Sequence, residues 1–242
     1  WGIVPDALMG HSLGEATACG LAGILSVRDT LRVVGERACI LRDAALVRGG
    51  MIAVTLPSGR TSSGVMQLSN GLDLAAYNSP NALVLSGSTE AIRRIEPLLR
   101  AEGFNPQDVN VTYASHCAQV DPCLSPLRKR LEGITPRVGE LPVRGTSREG
   151  WLEGVTCGPE FWAQNLRNPV QFRQAVEALA VDRDAVFVEL SPHPLLLDCI
   201  AQTLKFGTTK VMTLPSCRRG EHEQRSMRNS LAELYRAGFA VE

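Results

Sequence analysis

A serine placed between two glycines near the start of the chain is the residue best suited to chemistry. Ser12 stands in Gly10-His11-Ser12-Leu13-Gly14, after a short apolar run typical of a buried strand and before a helical pattern. A serine at a sharp strand-to-helix turn projects its hydroxyl outward, and the N–H groups that begin the helix can stabilise an oxyanion. The sequence therefore predicts Ser12 as a nucleophile, with the Leu13 amide as an oxyanion donor.

A serine nucleophile needs a base to take its proton, and histidine is the usual one. The chain has four histidines. His11 adjoins Ser12 and is expected to point elsewhere, in a binding or structural role, while His222 lies in a polar and solvated tail. His116 and His193 are left as candidate bases.

The two candidate bases imply different enzymes. His193 follows a late apolar strand, and with Asp182 or Asp184 it would complete the triad of an ordinary α/β hydrolase. His116 follows the last strand of an inserted unit, where a cleft between two subdomains is expected. Sequence spacing does not choose between them.

The segment after the serine motif predicts a long amphipathic helix. Apolar residues recur at steps of three and four over residues 27–46, and Ser26 is a candidate N-cap for this helix. Arg37 is expected beside the apolar stripe. The stripe consists of Val27, Leu31, Val34, Ala38, Leu41 and Ala45.

Residues 50–116 predict a small subdomain of their own. Their pattern has the order β-α-β-β-α-β of a ferredoxin-like unit, inserted into a larger α/β subdomain. The expected elements are strands at 51–56, 72–77, 82–86 and 109–113 and helices at 62–68 and 89–102.

The remainder of the chain predicts more of the larger α/β subdomain. The apolar segment 185–190 is expected to be a strand of a buried parallel sheet. The other expected elements are helices at 121–133, 161–164, 169–179, 195–204 and 227–237 and a strand at 210–214.

Composition excludes several classes of function. The 25 basic and 25 acidic residues cancel, so no net charge attracts nucleic acid or an anionic membrane, and no apolar run approaches the ~20 residues of a membrane span. The seven cysteines are odd in number and form no CxxC pair, which argues against a disulfide framework or a zinc site. A cytoplasmic protein without a bound metal is expected.

Four segments in order resemble one family. Residues 10–15 (GHSLGE) resemble the nucleophile motif of malonyl-CoA:acyl-carrier-protein transacylases, and more closely that of the acyltransferase domains of type I polyketide synthases. Residues 113–116 (YASH), 165–172 (NLRNPVQF) and 191–194 (SPHP) are similar to further family segments. The resemblance implies an α/β-hydrolase-like large subdomain, at 1–49 and 117–214, with a ferredoxin-like insert at 50–116, followed by a linker at 215–242.

The resemblance also implies roles for the candidate residues. Ser12 is then the nucleophile and His116 the general base, oriented by a backbone carbonyl near Asn165 instead of an aspartate. Only the position of Asn165, and little of its side chain, is then expected to matter. His193 becomes structural.

Substrate contacts follow from the same resemblance. Arg37 lies 25 residues beyond Ser12, where the family places the arginine that binds the substrate carboxylate. A salt bridge with Glu36 or another acid is the alternative reason for this charge. Tyr113, Ser115 and His11 are expected to line or orient the pocket.

The implied reaction moves a malonyl or methylmalonyl group from coenzyme A to the phosphopantetheine thiol of an acyl carrier protein, in polyketide biosynthesis and without a bound cofactor. In the family a Tyr-Ala-Ser-His motif usually accompanies methylmalonyl selection, since Ser115 leaves room for an α-methyl, but malonyl-using synthases with similar motifs also exist. Leu13, however, is not the glutamine often seen in methylmalonyl domains. The partners would be the carrier protein and neighbouring synthase domains. A serine hydrolase or thioesterase that uses His193, or an inactive docking remnant, stays open as an alternative.

The chain begins at Trp1, nine residues before the serine motif, as expected for a fragment truncated at its N-terminus. In the family a glutamine from an earlier glycine-rich segment supplies a second oxyanion donor. Losing one such donor costs about 3 kcal/mol of transition-state stabilisation, so the isolated fragment is expected to be a weak catalyst or to misfold.

Overall fold

The computed structural model describes residues 2–44, 49–111, 113–205, 207 and 210–240. The chain divides into two compact units: the larger comprises Ala7–Ala175, and the smaller joins the residues before Ala7 to those after Ala175. These units do not separate residues 50–116 from the residues around them. The division into subdomains and linker expected from the sequence therefore stays a prediction.

The larger unit begins with the elements that carry the serine motif. The strand β1 (Leu8–Met9) leads into the helix α1 (Gly14–Leu21), and β1 pairs in parallel with β6 (Val143–Arg144). The helices of this part pack around the buried Trp162, whose indole N–H donates to the Cys157 carbonyl at 2.8 Å. The elements here are β1 (Leu8–Met9), α1 (Gly14–Leu21), α2 (Val27–Asp43), α5 (Asp121–Arg130), β6 (Val143–Arg144), α6 (Pro159–Arg167) and α7 (Phe172–Leu179), of which α7 runs into the smaller unit.

Within the larger unit, between α2 and α5 in the chain, lies the ferredoxin-like arrangement of strands and helices that the sequence predicts. Its four strands are β2 (Gly49–Thr55), β3 (Leu72–Ser79), β4 (Ala82–Ser88) and β5 (Asn105–Val109). They are ordered β3-β4-β2-β5, and every neighbouring pair is antiparallel. Two helices cover a core that includes Ile52, Leu85 and Leu99. The elements are β2 (Gly49–Thr55), α3 (Ser62–Leu68), β3 (Leu72–Ser79), β4 (Ala82–Ser88), α4 (Thr89–Ala101) and β5 (Asn105–Val109).

The last strand of this unit lies earlier than predicted. The apolar segment 109–113 was expected to be the strand, yet β5 ends at Val109, and Thr112 lies outside the described residues. The sequence of β5 is polar because β5 is an edge strand, paired with β2 alone among the strands that the structure describes. An edge position also tolerates Pro106, which has no N–H to donate.

The helix α2 begins as predicted, with the Ser26 hydroxyl accepting a hydrogen bond from the Asp29 amide at 3.0 Å. The predicted stripe is wrong, because Val27 and Leu31 are 76% and 66% exposed. The buried face is centred one position away and includes Arg37 itself. Its buried members are Asp29, Val33, Arg37, Ile40 and Leu41. The predicted continuation to 45 and 46 lies outside the described residues.

The smaller unit contains a two-stranded parallel sheet of β7 and β8. The expectation of a continuously buried strand at 185–190 is wrong, because Val188 and Leu190 are exposed. Among the described strands, β7 has β8 as its one paired neighbour, so much of its surface is left open. The elements are β7 (Ala185–Glu189), α8 (Leu197–Leu204), β8 (Val211–Pro215) and α9 (Glu223–Arg236).

No described helix combines the length and hydropathy that a bilayer crossing requires.

Candidate active site

The turn between β1 and α1 holds Ser12 in a strained backbone conformation. Its φ of 53° lies in the left-handed region, which a residue with a Cβ adopts at a cost. Two hydrogen bonds close the turn: the Gly14 amide donates to the His11 carbonyl at 2.9 Å, and the Glu15 amide donates to the Ser12 carbonyl at 3.1 Å. The Leu13 amide lies directly before the first turn of α1, where helix N–H groups lack intrahelical acceptors.

The two glycines of the serine motif differ in what they permit. A Cβ on Gly10 would lie 2.2 Å from the Gly14 carbonyl carbon, whereas a Cβ on Gly14 would meet no described atom within 4 Å. Crowding therefore explains Gly10 but not Gly14.

We expect opposite outcomes from alanine at the two glycines. Gly10→Ala should lower the melting temperature sharply or prevent folding, because backbone atoms block its methyl group. Gly14→Ala should keep or slightly raise the melting temperature, since alanine is favoured over glycine in a helix by about 1 kcal/mol. Thermal unfolding followed by circular dichroism measures both, and equal losses in the two variants would contradict the account.

Ser12 and His116 meet, although 104 residues separate them. Ser12 Oγ lies 2.7 Å from His116 Nε2, and His116 Nδ1 lies 2.7 Å from the Asn168 carbonyl. A carbonyl can only accept, so the proton resides on Nδ1 and Nε2 is free to accept the serine hydroxyl. The carbonyl near Asn165 that orients the imidazole thus belongs to Asn168.

The backbone of His116 is also held in place. His116 has a φ of 59° and is 3% exposed. Its amide donates to the Leu166 carbonyl at 3.0 Å, which ties the loop after β5 to the end of α6.

Burial lowers the pKa of His116 to about 3, and the positive charge of Arg37 adds to this effect. His11 lowers the pKa further, while the hydrogen bond to the Asn168 carbonyl opposes the shift. The imidazole is therefore neutral over the physiological range and able to accept a proton.

This shift predicts the pH dependence of serine acylation. An ordinary histidine base, with a pKa near 6.5, would lose most of its activity between pH 7 and about 5.5. Because the pKa of His116 is lowered, the acylation rate should stay nearly constant over that window and fall only in stronger acid. Rapid-quench acylation rates from pH 5 to 8 measure this, and an inflection near pH 6.5 would contradict it.

Arg37 lies in the same site. It is 6% exposed, its Nη1 donates to Asn165 Oδ1 at 2.7 Å, and its Nη2 lies 3.4 Å from Ser12 Oγ. Burial lowers its pKa to about 10, against an opposing effect of Tyr113, so the guanidinium stays charged at neutral pH. The alternative partner Glu36 pairs instead with Arg130 at 3.3 Å.

No carboxylate among the described residues forms an ion pair with Arg37, so a buried positive charge stands unneutralised beside Ser12. Burying a charge without a counter-ion is costly and is typical of functional sites. The arrangement suits an anionic group brought by a ligand.

The side chain of Asn165 is fully engaged, which corrects the expectation that only its position matters. It is 0% exposed, and its Oδ1 accepts from Arg37. Its Nδ2 donates to the Ser12 carbonyl at 3.1 Å and to Glu15 Oε2 at 2.7 Å. The amide therefore joins the arginine, the nucleophile and a buried acid.

Glu15 is a site residue that sequence reasoning missed. Its side chain is 0% exposed; Oε1 accepts from the Thr146 amide at 2.7 Å, and Oε2 accepts from the Ser147 hydroxyl at 2.5 Å. The Thr146 hydroxyl donates to the Gly10 carbonyl at 2.6 Å. The available sequence signal for Glu15 was an acidic residue in the first turn of the helix after the serine motif. Local sequence pattern could not predict that this side chain is buried.

The other predicted pocket residues lie around this centre. His11 Nε2 is 2.8 Å from Asn78 Oδ1, and its ring lies 5.5 Å from the ring of Phe172. Ser115 is buried and its hydroxyl lies 3.5 Å from Met51 Sδ. Half-buried Tyr113 packs against the core of the larger unit.

The rival base and acids have other partners. His193 Nδ1 accepts from the Arg219 amide at 3.3 Å, and Asp184 Oδ1 accepts from the Lys210 amide at 2.8 Å. Asp182 occupies a left-handed turn with a φ of 54°.

The described part of the chain holds no cluster of three or more His, Cys, Asp or Glu side chains suited to a metal ion.

Comparison with known proteins places this chain in a family. The acyl transferase domain family matches residues 1–241. The spectinabilin polyketide synthase system protein NorC of Streptomyces orinoci is 35% identical over 241 residues, which cover 100% of this chain and 11% of that protein. The chain therefore corresponds to a small part of this relative's length.

Solved structures agree with the sequence relatives. The acyltransferase domain from module 8 of the salinomycin polyketide synthase gives a TM-score of 0.92 at 33% identity, covering 99% of this chain and 56% of that one. The acyl transferase domain of SpnD in complex with 2-(pent-4-yn-1-yl)malonyl gives 0.87 at 28% identity, covering 98% and 57%. The α/β fold class predicted from the sequence is thereby confirmed. The chain belongs to the acyl transferase domain family and resembles, over nearly its whole length, the acyltransferase domains of polyketide synthases.

Proposed function

We propose that this chain transfers a malonyl-type acyl group from coenzyme A to the phosphopantetheine thiol of an acyl carrier protein, through an acyl-Ser12 intermediate in polyketide biosynthesis. One observation carries the proposal: the Ser12 hydroxyl lies 2.7 Å from a neutral imidazole and 3.4 Å from an unneutralised guanidinium. The first group activates a nucleophile, and the second suits a substrate that bears a carboxylate.

In the first half-reaction, His116 Nε2 takes the hydroxyl proton as Ser12 Oγ attacks the thioester carbonyl carbon. The carbonyl oxygen becomes an oxyanion, for which we assign the Leu13 amide as a donor. The tetrahedral intermediate then collapses and the carbon–sulfur bond breaks. The protonated imidazole returns its proton to the departing thiolate, so coenzyme A leaves as a thiol.

The second half-reaction runs the same chemistry in reverse order. The phosphopantetheine thiol gives its proton to His116 Nε2 as its sulfur attacks the acyl-Ser12 carbonyl. The ester bond breaks, the proton passes to Ser12 Oγ, and the acyl group leaves on the carrier protein. No external acid, base or redox partner is needed, because one imidazole holds the proton through each half-reaction.

Arg37 supplies selectivity for an acyl group that ends in a carboxylate. A guanidinium can hold a carboxylate through two parallel hydrogen bonds, and here it meets no competing acid among the described residues. The related SpnD domain has been solved with a malonyl derivative, which supports the same substrate class for this chain.

The choice between malonyl and methylmalonyl rests on the space beside the base. Ser115 is small, which favours methylmalonyl, but one methyl group in a pocket changes the activation free energy by only about 1–3 kcal/mol. We therefore expect both substrates to react, with a modest preference for methylmalonyl.

Two experiments test the proposed function. The chain is first exposed to equal concentrations of malonyl-CoA and methylmalonyl-CoA, and the acyl-enzyme is read by intact-protein mass. The isolated acyl-enzyme is then mixed with a polyketide acyl carrier protein in its phosphopantetheinylated form. We expect the acyl mass to move to the carrier. Release as free acid at the same rate with and without carrier would contradict transfer and favour hydrolysis.

A further inference from the structure

A buried acid behind the nucleophile has no role in the proposed chemistry. Glu15 lies on α1, on the far side of Asn165 from Arg37, and it touches neither Arg37 nor His116 through any hydrogen bond among the described residues. Full burial of a carboxylate is costly unless its hydrogen bonds are satisfied. Five donor groups from Thr146, Ser147 and Asn165 converge on this carboxylate, and an arrangement this complete requires a reason.

The contacts of Glu15 determine which way the Asn165 amide faces. An ionised carboxylate can only accept, so the group 2.7 Å from Glu15 Oε2 must be the donor Nδ2 of Asn165. The same Nδ2 donates to the Ser12 carbonyl at 3.1 Å. The amide oxygen is thereby turned toward Arg37, where it accepts from Nη1 at 2.7 Å.

The acceptor that Arg37 meets, Asn165 Oδ1, carries no net charge, and this has an electrostatic consequence. An aspartate could hold Arg37 equally well, but its charge would neutralise the guanidinium and compete with a substrate carboxylate. The negative charge lies on Glu15 instead, which is separated from Arg37 by the Asn165 amide. The amide therefore fixes the position of the guanidinium and leaves its charge unneutralised.

We infer that Glu15 is a positioning residue for substrate selection: through the Asn165 amide it holds the Arg37 guanidinium in place without neutralising it. This inference rests on the proposed function, because it assumes a carboxylate on the acyl group. It extends the site to a residue that contacts neither the acyl group nor the base.

The first test is Glu15→Gln, which keeps the shape of the side chain and removes its charge. Glutamine presents one donor and one acceptor where two acceptors stood, so either the Thr146 amide or Asn165 Nδ2 meets a donor. We expect the ratio of kcat/KM for malonyl-CoA over acetyl-CoA to fall at least about tenfold, the loss of one charged hydrogen bond. Both rates falling together would overturn the inference, because a purely structural role lowers them equally.

If Glu15→Gln folds poorly, a double variant that moves the negative charge from residue 15 to residue 165 provides a second test. In Glu15→Gln combined with Asn165→Asp, the glutamine amide can donate to the new carboxylate, whose other oxygen accepts from Arg37, although the hydrogen bond to the Ser12 carbonyl is lost. The double variant should melt at a higher temperature than Asn165→Asp alone, yet its malonyl-to-acetyl ratio should stay at least about tenfold below wild type, because Arg37 is now neutralised. A wild-type ratio in the double variant would overturn the inference.

Ser147→Ala is the matched control. It removes another hydrogen bond to Glu15, at 2.5 Å, and leaves the Asn165 contact in place. We expect a lower melting temperature and an unchanged ratio. If wild-type protein forms no malonyl adduct, the proposed function fails; if it prefers malonyl and Glu15→Gln does too, the positioning role alone fails.

Discussion

Replacing His116 with asparagine is expected to slow acylation of Ser12 by about 10²–10⁴-fold, the usual contribution of a positioned general base. Without the imidazole, no described group takes the hydroxyl proton, since the other contact of Ser12 Oγ is the cationic Arg37 at 3.4 Å. Asparagine is chosen because residue 116 has a φ of 59°, which asparagine tolerates better than alanine does. Single-turnover acylation by malonyl-CoA measures the change.

His193→Ala is the matched control for this prediction. His193 is bonded to the Arg219 amide, and its loss should leave the acylation rate close to wild type. A collapse of activity in His193→Ala, with His116→Asn near wild type, would contradict the account and restore the hydrolase interpretation.

Replacing Arg37 with glutamine is expected to lower kcat/KM for malonyl-CoA by about 10- to 100-fold, while acetyl-CoA reacts at the same rate or faster. The loss corresponds to about 1.5–3 kcal/mol for a hydrogen bond to a charged group. Acetyl-CoA has no carboxylate, so it does not need the guanidinium. The pH profile should move as well: removing this charge raises the pKa of His116, which shifts the acidic fall in activity to higher pH.

Arg42→Gln is the control on the same helix. Arg42 is exposed and paired with Asp43, so its removal should change neither the rate nor the ratio of the two substrates. Equal losses with malonyl-CoA and acetyl-CoA in Arg37→Gln would mean that the guanidinium supports the fold and does not bind substrate.

Local pattern predicted the serine turn but could not pair it with a base. The strand, the glycines and the following helix are close in sequence, so their signals survive in a short window. His116 reaches Ser12 only because the loop after β5 is anchored on the Leu166 carbonyl and its ring on the Asn168 carbonyl. Those contacts join distant segments, and family resemblance, not spacing, selected His116 over His193.

The support of Arg37 was missed for a related reason. The spacing of apolar residues predicted that the buried stripe of α2 includes Val27 and Leu31, with Arg37 at the edge of this stripe. The partner that makes its burial tolerable, Asn165, is 128 residues away, and Glu15 is 150 residues from that asparagine. Buried polar networks of this kind have no periodicity, so no window of sequence reveals them.

The most direct measurement of the central claim is the site of acylation after brief exposure to malonyl-CoA. Intact-protein mass should show one added malonyl group, peptide mapping should place it on Ser12, and Ser12→Ala should acquire none. An adduct on another residue, an adduct that persists in Ser12→Ala, or no adduct on the folded wild-type chain would contradict the account.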